Sequence, residues 1–185
     1  MEEIKNWYKD FNYQQNFIKE TIKRNMYLYT HFENDKDTYL INYICKGKKN
    51  NYLEYFYDPL KIKKINENIQ EISVFKTGEK SQIIDLSFNI NTDNINVGIL
   101  KKKEEMFLED HEKGFVIYSK NLPLDKKDIL EIKKGYNIIS VQEEGDNTRI
   151  NIIIEIDSNI PFIFKKIPAL IIIKSLLNFD NLIEG

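Results

Sequence analysis

Three residue types are scarce in this sequence, and each scarcity excludes a class of protein. The 185 residues include a single cysteine, Cys45, so the chain has no internal disulfide framework and suits a reducing compartment. His31 and His111 are its two histidines, and neither is followed by a second histidine at the spacing of a helical zinc motif. The seven glycines are scattered rather than grouped into a phosphate-binding loop. The sequence therefore lacks a recognisable motif for metal or nucleotide chemistry.

The sequence also lacks an excess of either positive or negative charge. The 27 Lys and Arg residues against 29 Asp and Glu residues give a formal net charge of -2, so there is no overall basic field to attract nucleic acid. With 42% hydrophobic and 30% charged residues, the composition is typical of one globular domain. The sequence starts with an acidic segment rather than a secretion signal, and we expect a cytoplasmic protein.

The longest apolar segment extends from Ile160 to Ile183 near the C-terminus. Prolines and lysines interrupt it well short of the ~20 continuous apolar residues that a membrane span requires. Interpreted as a helix, the segment is apolar on nearly all sides, which is typical of a helix enclosed by other structure. The remainder of the chain should supply that enclosure.

A period of two dominates the preceding part of the chain. Ile150, Ile152, Ile154 and Ile156 show the clearest alternation, and shorter alternating segments occur between residues 72 and 141. Two further strands are predicted between residues 26 and 45. Short turns between successive strands favour an antiparallel sheet that packs one face on the long helix and leaves the other face to water. The predicted fold class is α+β.

Helical spacing also occurs early in the chain. It predicts an amphipathic N-terminal helix over about residues 2–24, forming part of the same domain as residues 25–185. A short helical pair is predicted near residues 50–66. The charge run Lys101-Lys102-Lys103 is interpreted as a solvated turn.

Several short segments resemble the START (steroidogenic acute regulatory protein-related lipid transfer) family. Asp58 to Ile69 is similar to the family pattern D-P-x-x-x-x-x-W-N/D-x-x-I/V, with Ile65 at the tryptophan position. Lys134-Gly135-Tyr136 is similar to its G-G-W segment. Glu155-Ile156-Asp157 and the following Ile160-Pro161 resemble the end of its last strand and the start of its C-terminal helix. These segments occur in the family's order over about residues 25–183.

The resemblance implies the helix-grip fold of the wider superfamily, in which a curved antiparallel sheet wraps around the C-terminal helix and leaves a hydrophobic cavity. It also implies non-enzymatic binding, transfer or sensing of a lipid or other hydrophobic small molecule, with transient membrane contact. Apolar burial alone drives such binding, at about 0.8 kcal/mol per CH₂, so no charged motif is required. The candidate ligand-binding residues, for which ordinary core packing is the alternative, are Ile152, Ile154, Phe164, Ile167, Ile171 and Ser175.

Two alternatives remain open at this stage. The first is an enzyme of the cyclase or hydratase type acting in the same cavity, with Tyr118, Tyr136 or Asp85 as acid or base. The second is a partner-binding module with a collapsed cavity, which would use the aromatic surface of residues 4–18. The sequence indicates neither the identity of the ligand nor the oligomeric state.

Overall fold

The computed structural model describes residues 1–11, 17–23, 25–33, 36–92, 95–124, 130–158 and 165–184. Within these residues the chain forms four helices and nine strands. In chain order they are α1 Glu2–Asp10, β1 Ile18–Lys23, β2 Met26–Glu33, β3 Lys36–Cys45, α2 Lys49–Tyr57, α3 Pro59–Ile65, β4 Ile69–Gly78, β5 Ser81–Thr92, β6 Ile95–His111, β7 Gly114–Leu122, β8 Leu130–Glu144, β9 Asn147–Ser158 and α4 Ile167–Glu184.

All nine strands belong to one sheet, in the order β1-β2-β3-β9-β8-β7-β6-β5-β4. Neighbouring strands in this order are antiparallel, as the short turns predict. Strand β7, which lies between β6 and β8, is shorter than both, and near its end these two make a brief parallel contact at Leu100–Leu130. The predicted helix-grip α+β fold is confirmed.

The inner face of the sheet forms the main core with α4. Ile150, Ile152, Ile154 and Ile156 alternate along β9 and are all at most 5% exposed. They belong to the same apolar cluster as buried residues of α4, among them Ala169. Each such side chain stabilises the fold by about 1.5–3 kcal/mol. The face predicted from the alternation is therefore the face that α4 covers.

The outer face of the sheet was expected to face water, and this expectation is correct only for the part that α1 does not cover. Helix α1 lies on it, with Ile4 fully buried against a second apolar cluster that includes Leu40 and Ile153. Charged contacts join the same helix to the sheet, because Glu3 pairs with Lys120 and Lys5 with Glu109. Ile153 of β9 is thus buried too, which a one-sided sheet would not require, whereas its outer-face neighbours Asn151 and Glu155 are only partly buried.

The predicted N-terminal helix over residues 2–24 is only partly correct. Helix α1 ends at Asp10, and residues 18–23 form the edge strand β1. Ile18 and Ile22 stand four residues apart, which suits a helix, but the segment Ile18–Lys23 forms backbone pairs with β2 instead. Tertiary pairing outweighs the local spacing here, since strand propensity depends strongly on context.

The charge run Lys101-Lys102-Lys103 is not a turn. It lies in the middle of β6, a strand of 17 residues that joins two segments predicted as separate strands. Residues of β6 alternate between the two faces of the sheet, so the lysines do not share one environment. Lys102 shares the inner face with Leu100, and this placement brings a charge into the interior.

The predicted helical pair is confirmed as α2 and α3. Asp58 separates them, and its side-chain carboxylate accepts a hydrogen bond from the backbone N–H of Leu60 at 3.0 Å. Pro59 follows as the first residue of α3, where its missing N–H has no helical partner to lose. This Asp-Pro step therefore ends one helix and starts the next.

Within the described residues helix α4 begins at Ile167, and the predicted start at residues 160–164 lies outside them. Its N-terminal approach is fixed by Lys165, which forms an ion pair with the buried Asp37 at 2.5 Å. Lys174 pairs with Glu67 at 2.5 Å. The helix is not enclosed on all sides, because Leu170 is 46% exposed and Lys174 is also exposed.

Candidate functional site

A cavity of about 170 Å³ lies between the inner face of the sheet, α3 and α4. Its walls are mostly isoleucine and other aliphatic side chains from five strands and two helices. On the sheet side they include Ile84, Leu86, Leu100 and Met106, and α4 contributes Ile171 and Ile172. The cavity is smaller than the ~300–1,000 Å³ typical of sites for drug-sized ligands, and close to an engineered ~150 Å³ cavity that binds benzene.

Four of the six residues singled out in the sequence line this cavity. Ile152 and Ile154 reach it from β9, and Ile171 and Ser175 reach it from α4. Ile167 packs against the main core instead of lining the cavity. The sixth, Phe164, lies outside the described residues.

The cavity also contains charged and polar side chains that the sequence analysis missed. Lys102 and Glu104 both lie on the inner face of β6, and their side chains form an ion pair with 2.7 Å between Nζ and Oε2. Asn137 of β8 donates a hydrogen bond from Nδ2 to the same Glu104 oxygen at 2.9 Å. Ser119 of β7 also lines the cavity and is 1% exposed. We call Lys102, Glu104, Ser119 and Asn137 the internal polar cluster.

The register of the strands brings the internal polar cluster together. Ser119 lies directly opposite Asn137 across the β7–β8 pair. Glu104 lies opposite Asn121 across the β6–β7 pair, which places Asn121 on the same face. Side chains opposite one another on antiparallel strands are about 4.5–5.5 Å apart at Cβ. Three adjacent strands thus place one polar region on an otherwise apolar wall.

Hydrogen bonding within the internal polar cluster is incomplete. Asn137 is 7% exposed, and its Oδ1 is buried without a hydrogen-bond partner. Neighbouring Asn121 is 5% exposed, and neither polar atom of its amide has a partner. Buried polar atoms of this kind are uncommon and each costs about 1–3 kcal/mol, so they commonly mark a place for water or a ligand.

Other polar groups near the cavity belong to α2 and α4. Tyr52 of α2 donates a hydrogen bond to Oδ1 of Asp180 at 2.8 Å, and both residues are buried. Tyr55 of α2 lines the cavity, and burial raises the pKa of its phenol. Ser175 donates its hydroxyl to the backbone carbonyl of Ile171 at 2.9 Å, within α4 itself. The bond between Tyr52 and Asp180 therefore joins α2 to α4 beside the cavity.

The residues proposed for an enzyme do not meet in this cavity. Tyr118 and Tyr136 belong to the outer face, in the cluster beneath α1. The Tyr136 hydroxyl donates to Glu3 at 2.5 Å, and this bond, with burial, raises the pKa of Tyr136 to about 12. Burial, with a smaller effect of Glu109, raises the pKa of Tyr118 to about 12. Asp85 alternates with Ile84 and Leu86, which line the cavity, so it lies on the opposite face.

Two further classes of site were sought in the described part of the chain. It contains no group of three or more His, Cys, Asp or Glu residues arranged to hold a metal ion. Among its helices, none is both long and apolar enough to cross a bilayer.

Solved structures with the same architecture are START-type proteins. The structure of a STAR-related lipid transfer protein fragment from Xanthomonas axonopodis matches with a TM-score of 0.74 at 10% identity, covering 92% of this chain and 100% of that one. Human STARD10 matches with a TM-score of 0.75 at 9% identity, covering 97% of this chain and 78% of that one. At such low identity these matches establish the shared fold. The resemblance to START proteins seen in the sequence is confirmed at that level.

The fold also occurs in proteins of other kinds. The Zhui aromatase/cyclase from a Streptomyces species matches with a TM-score of 0.55 at 9% identity, covering 79% of this chain and 90% of that one. No protein-family model and no curated protein sequence matches the chain. The chain therefore has the helix-grip fold of START-type and related proteins.

A signal for the internal polar cluster was present in the sequence. Leu100, Lys102, Glu104 and Met106 stand two residues apart, so in a strand the lysine and the glutamate share a face with two apolar residues. The charge run concealed this pattern, because consecutive charges are typical of a solvated turn. Asn137 and Ser119 carry no such signal, since only strand pairing brings them together.

Proposed function

We propose that this protein binds a hydrophobic small molecule in the cavity between the sheet and α4, and that it transfers or senses this molecule without altering it chemically. The observation that carries the proposal is a cavity of about 170 Å³ between the sheet and α4 whose walls are mostly aliphatic. Concave, mostly apolar clefts with a few polar groups are where proteins usually bind small molecules. The lipid transfer proteins that share the fold support this choice of function.

The size of the cavity limits the ligand. A cavity of this volume suits a single ring or one short acyl or alkyl chain, and a two-chain phospholipid exceeds it. Transfer of each methylene group from water to the aliphatic wall favours binding by about 0.8 kcal/mol. We therefore propose a lipid-like ligand with one short apolar part. Ile152, Ile154 and Ile171 are its proposed contacts.

The other two candidate functions have less support. For catalysis, the suggested Tyr118, Tyr136 and Asp85 lie away from the cavity. For partner binding, Ile4 of α1 is fully buried, and Trp7 packs on Tyr136 with ring centroids 5.1 Å apart. These two side chains of the surface that the interaction would use thus pack on the sheet instead.

A pair of tryptophan substitutions on α4 tests the proposal. Ile171→Trp places a large ring in the cavity, whereas Leu170→Trp adds the same ring at the neighbouring, 46% exposed position. We expect octanol to bind the wild type and Leu170→Trp similarly, and to bind Ile171→Trp at least tenfold more weakly, as measured by isothermal titration calorimetry. Circular dichroism confirms that each variant is folded. Absence of binding to the wild type, or equal binding by Ile171→Trp, would contradict the proposal.

A further inference from the structure

The internal polar cluster indicates what kind of head group the ligand carries. Asn137 lies at the cavity wall, more than nine-tenths buried, and its Oδ1 has no hydrogen-bond donor. The orientation of this amide is fixed, because Nδ2 donates to the carboxylate of Glu104 and an inverted amide would bring two oxygens together. The free acceptor is therefore the carbonyl oxygen. It is therefore a place for a group that donates a hydrogen bond.

The ion pair indicates the charge of that head group. The ammonium of Lys102 is already paired with the carboxylate of Glu104, at 2.7 Å, so the two charges sum to zero. Their side chains are 14% and 8% exposed, which leaves little water to stabilise a third charge. Bringing an ionised carboxylate into such a place is costly unless a cation is free to pair with it. The cavity should thus favour a neutral head group over an anionic one.

Lys102 also supplies donors for a neutral oxygen. An ammonium group has three N–H donors, and Glu104 accepts from it through one oxygen. Lys102 and Asn137 both contact this Oε2 atom, so their side-chain nitrogens are near each other. A hydroxyl group next to them can donate to Asn137 Oδ1 and accept from Lys102. An ether or an alkane lacks the donor that Asn137 needs.

We propose that the ligand is a neutral alcohol, with its hydroxyl bound to Asn137 and Lys102 and its apolar part in the aliphatic cavity. The proposal rests on the proposed function and adds to it the chemical class of the head group. It assigns Asn137 to recognition of the hydroxyl. It assigns Glu104 to charge selection, because Glu104 neutralises the lysine that would otherwise attract an acid.

Three eight-carbon compounds test the proposal on the wild-type protein. Octanol, its isomer methoxyheptane and ionised octanoate have similar apolar parts, but methoxyheptane lacks the O–H donor and octanoate is anionic. Calorimetric titrations at a pH well above the ordinary carboxyl pKa keep the acid charged. We expect octanol to bind about tenfold more tightly than either of the others. Methoxyheptane leaves the buried acceptor of Asn137 without a hydrogen bond, and octanoate brings an unpaired charge into the cavity.

Two variants should change the order of affinities for the three compounds in different ways. Glu104→Gln leaves the Lys102 charge unpaired, so octanoate should become the preferred ligand by about tenfold. Asn137→Leu removes the acceptor, so octanol should lose its advantage over methoxyheptane. Glu105→Gln makes the same change of charge at the next residue of β6, on the opposite face from Glu104, and should leave the wild-type order of affinities unchanged.

The outcomes separate this inference from the proposed function. Failure of all three compounds to bind the wild type would overturn both. Equal binding of octanol and methoxyheptane, or tighter binding of octanoate, would leave the cavity as a ligand site and overturn the alcohol assignment. If Glu104→Gln does not fold, the wild-type series and Asn137→Leu still decide the question.

Discussion

Lys102 and Glu104 lie two residues apart on the inner face of β6, and their side chains form an ion pair at 2.7 Å within an aliphatic cavity. Neither charge is needed to fill the space between sheet and helix, since apolar residues would fill it at lower cost. The pair is held in place by Asn137, which donates to the same carboxylate oxygen. The pair therefore adds polarity to a wall that is otherwise apolar.

The first prediction concerns the stability of this pair. Lys102→Met leaves the Glu104 carboxylate in the cavity without its cation, and we expect the free energy of unfolding to fall by about 3 kcal/mol. Replacing both residues, as Lys102→Met with Glu104→Leu, should restore at least half of that loss, because no charge then remains unpaired. Urea unfolding of Lys102→Met, of Glu104→Leu and of the double variant measures the coupling free energy between the two side chains. Equal stability of Lys102→Met and the wild type would show that water already stabilises both charges.

The second prediction concerns the contact between α2 and α4. Tyr52→Phe removes the hydroxyl that donates to the buried Asp180, while the ring, which packs edge-on to Phe179 at 5.5 Å, remains. Hydrogen bonds to charged groups contribute about 1.5–3 kcal/mol, and we expect a loss of stability in that range. Tyr57→Phe, also on α2, provides a control for loss of a tyrosine hydroxyl elsewhere in the same helix. Thermal unfolding of both variants makes the comparison, and equal losses would remove the special role of Asp180.

The third prediction concerns pH. The pKa of Tyr136 is raised from 10.0 to about 12, chiefly by its hydrogen bond to Glu3. The stability that this contact contributes is therefore complete below about pH 10 and is lost as the pH rises towards 12. Glu3→Gln should lower the pKa of Tyr136, which an ultraviolet titration of tyrosinate detects by comparison with Tyr136→Phe. Glu2→Gln is the matched control one residue away. An unchanged titration in Glu3→Gln would exclude the negative charge of the Glu3 carboxylate as the cause.

The fourth prediction compares two glycines with positive φ. Gly135 has φ of 144°, and a Cβ there would stand 2.0 Å from the backbone oxygen of Glu155 in the neighbouring strand. Gly145 has φ of 64°, with nothing within 4 Å of the same added atom. Both alanine substitutions strain the backbone, but only Gly135→Ala also separates β8 from β9. We expect Gly135→Ala to be the more destabilising by at least about 1 kcal/mol, as measured by urea unfolding. Equal effects would show that the strands adjust freely.

The sequence predicts the inner core and the architecture, and the reason lies in β9. The isoleucines from Ile150 to Ile156 alternate so regularly that they predict the strand itself, the face that is buried and the apolar helix that covers this face. Ile18 and Ile22 were misassigned because a spacing of four fits one helical turn and also an edge strand in which alternate residues share a face. Pairing with the backbone of β2 decides between the two, and local propensity does not indicate this pairing.

The candidate site could be predicted in its apolar part alone. Ile152, Ile154 and Ile171 belong to patterns that bury one face of an element, and the cavity forms where those faces meet. Glu104 and Asn137 are 33 residues apart, and their hydrogen bond depends on the register of three strands. Single-sequence patterns carry no information on register across such a distance. To predict whether a run of charged residues is exposed or buried, one must therefore consider which face of the strand each residue occupies.

The most direct test of the central claim uses isoleucine methyl groups as reporters. Selective methyl labelling and nuclear magnetic resonance during an octanol titration follow Ile152, Ile154 and Ile171 at the cavity, and Ile153 on the opposite face of β9. We expect large, saturable shifts for the first three and little change for Ile153. Shifts confined to Ile153 and its neighbours, or no saturable change at all, would contradict binding in the cavity.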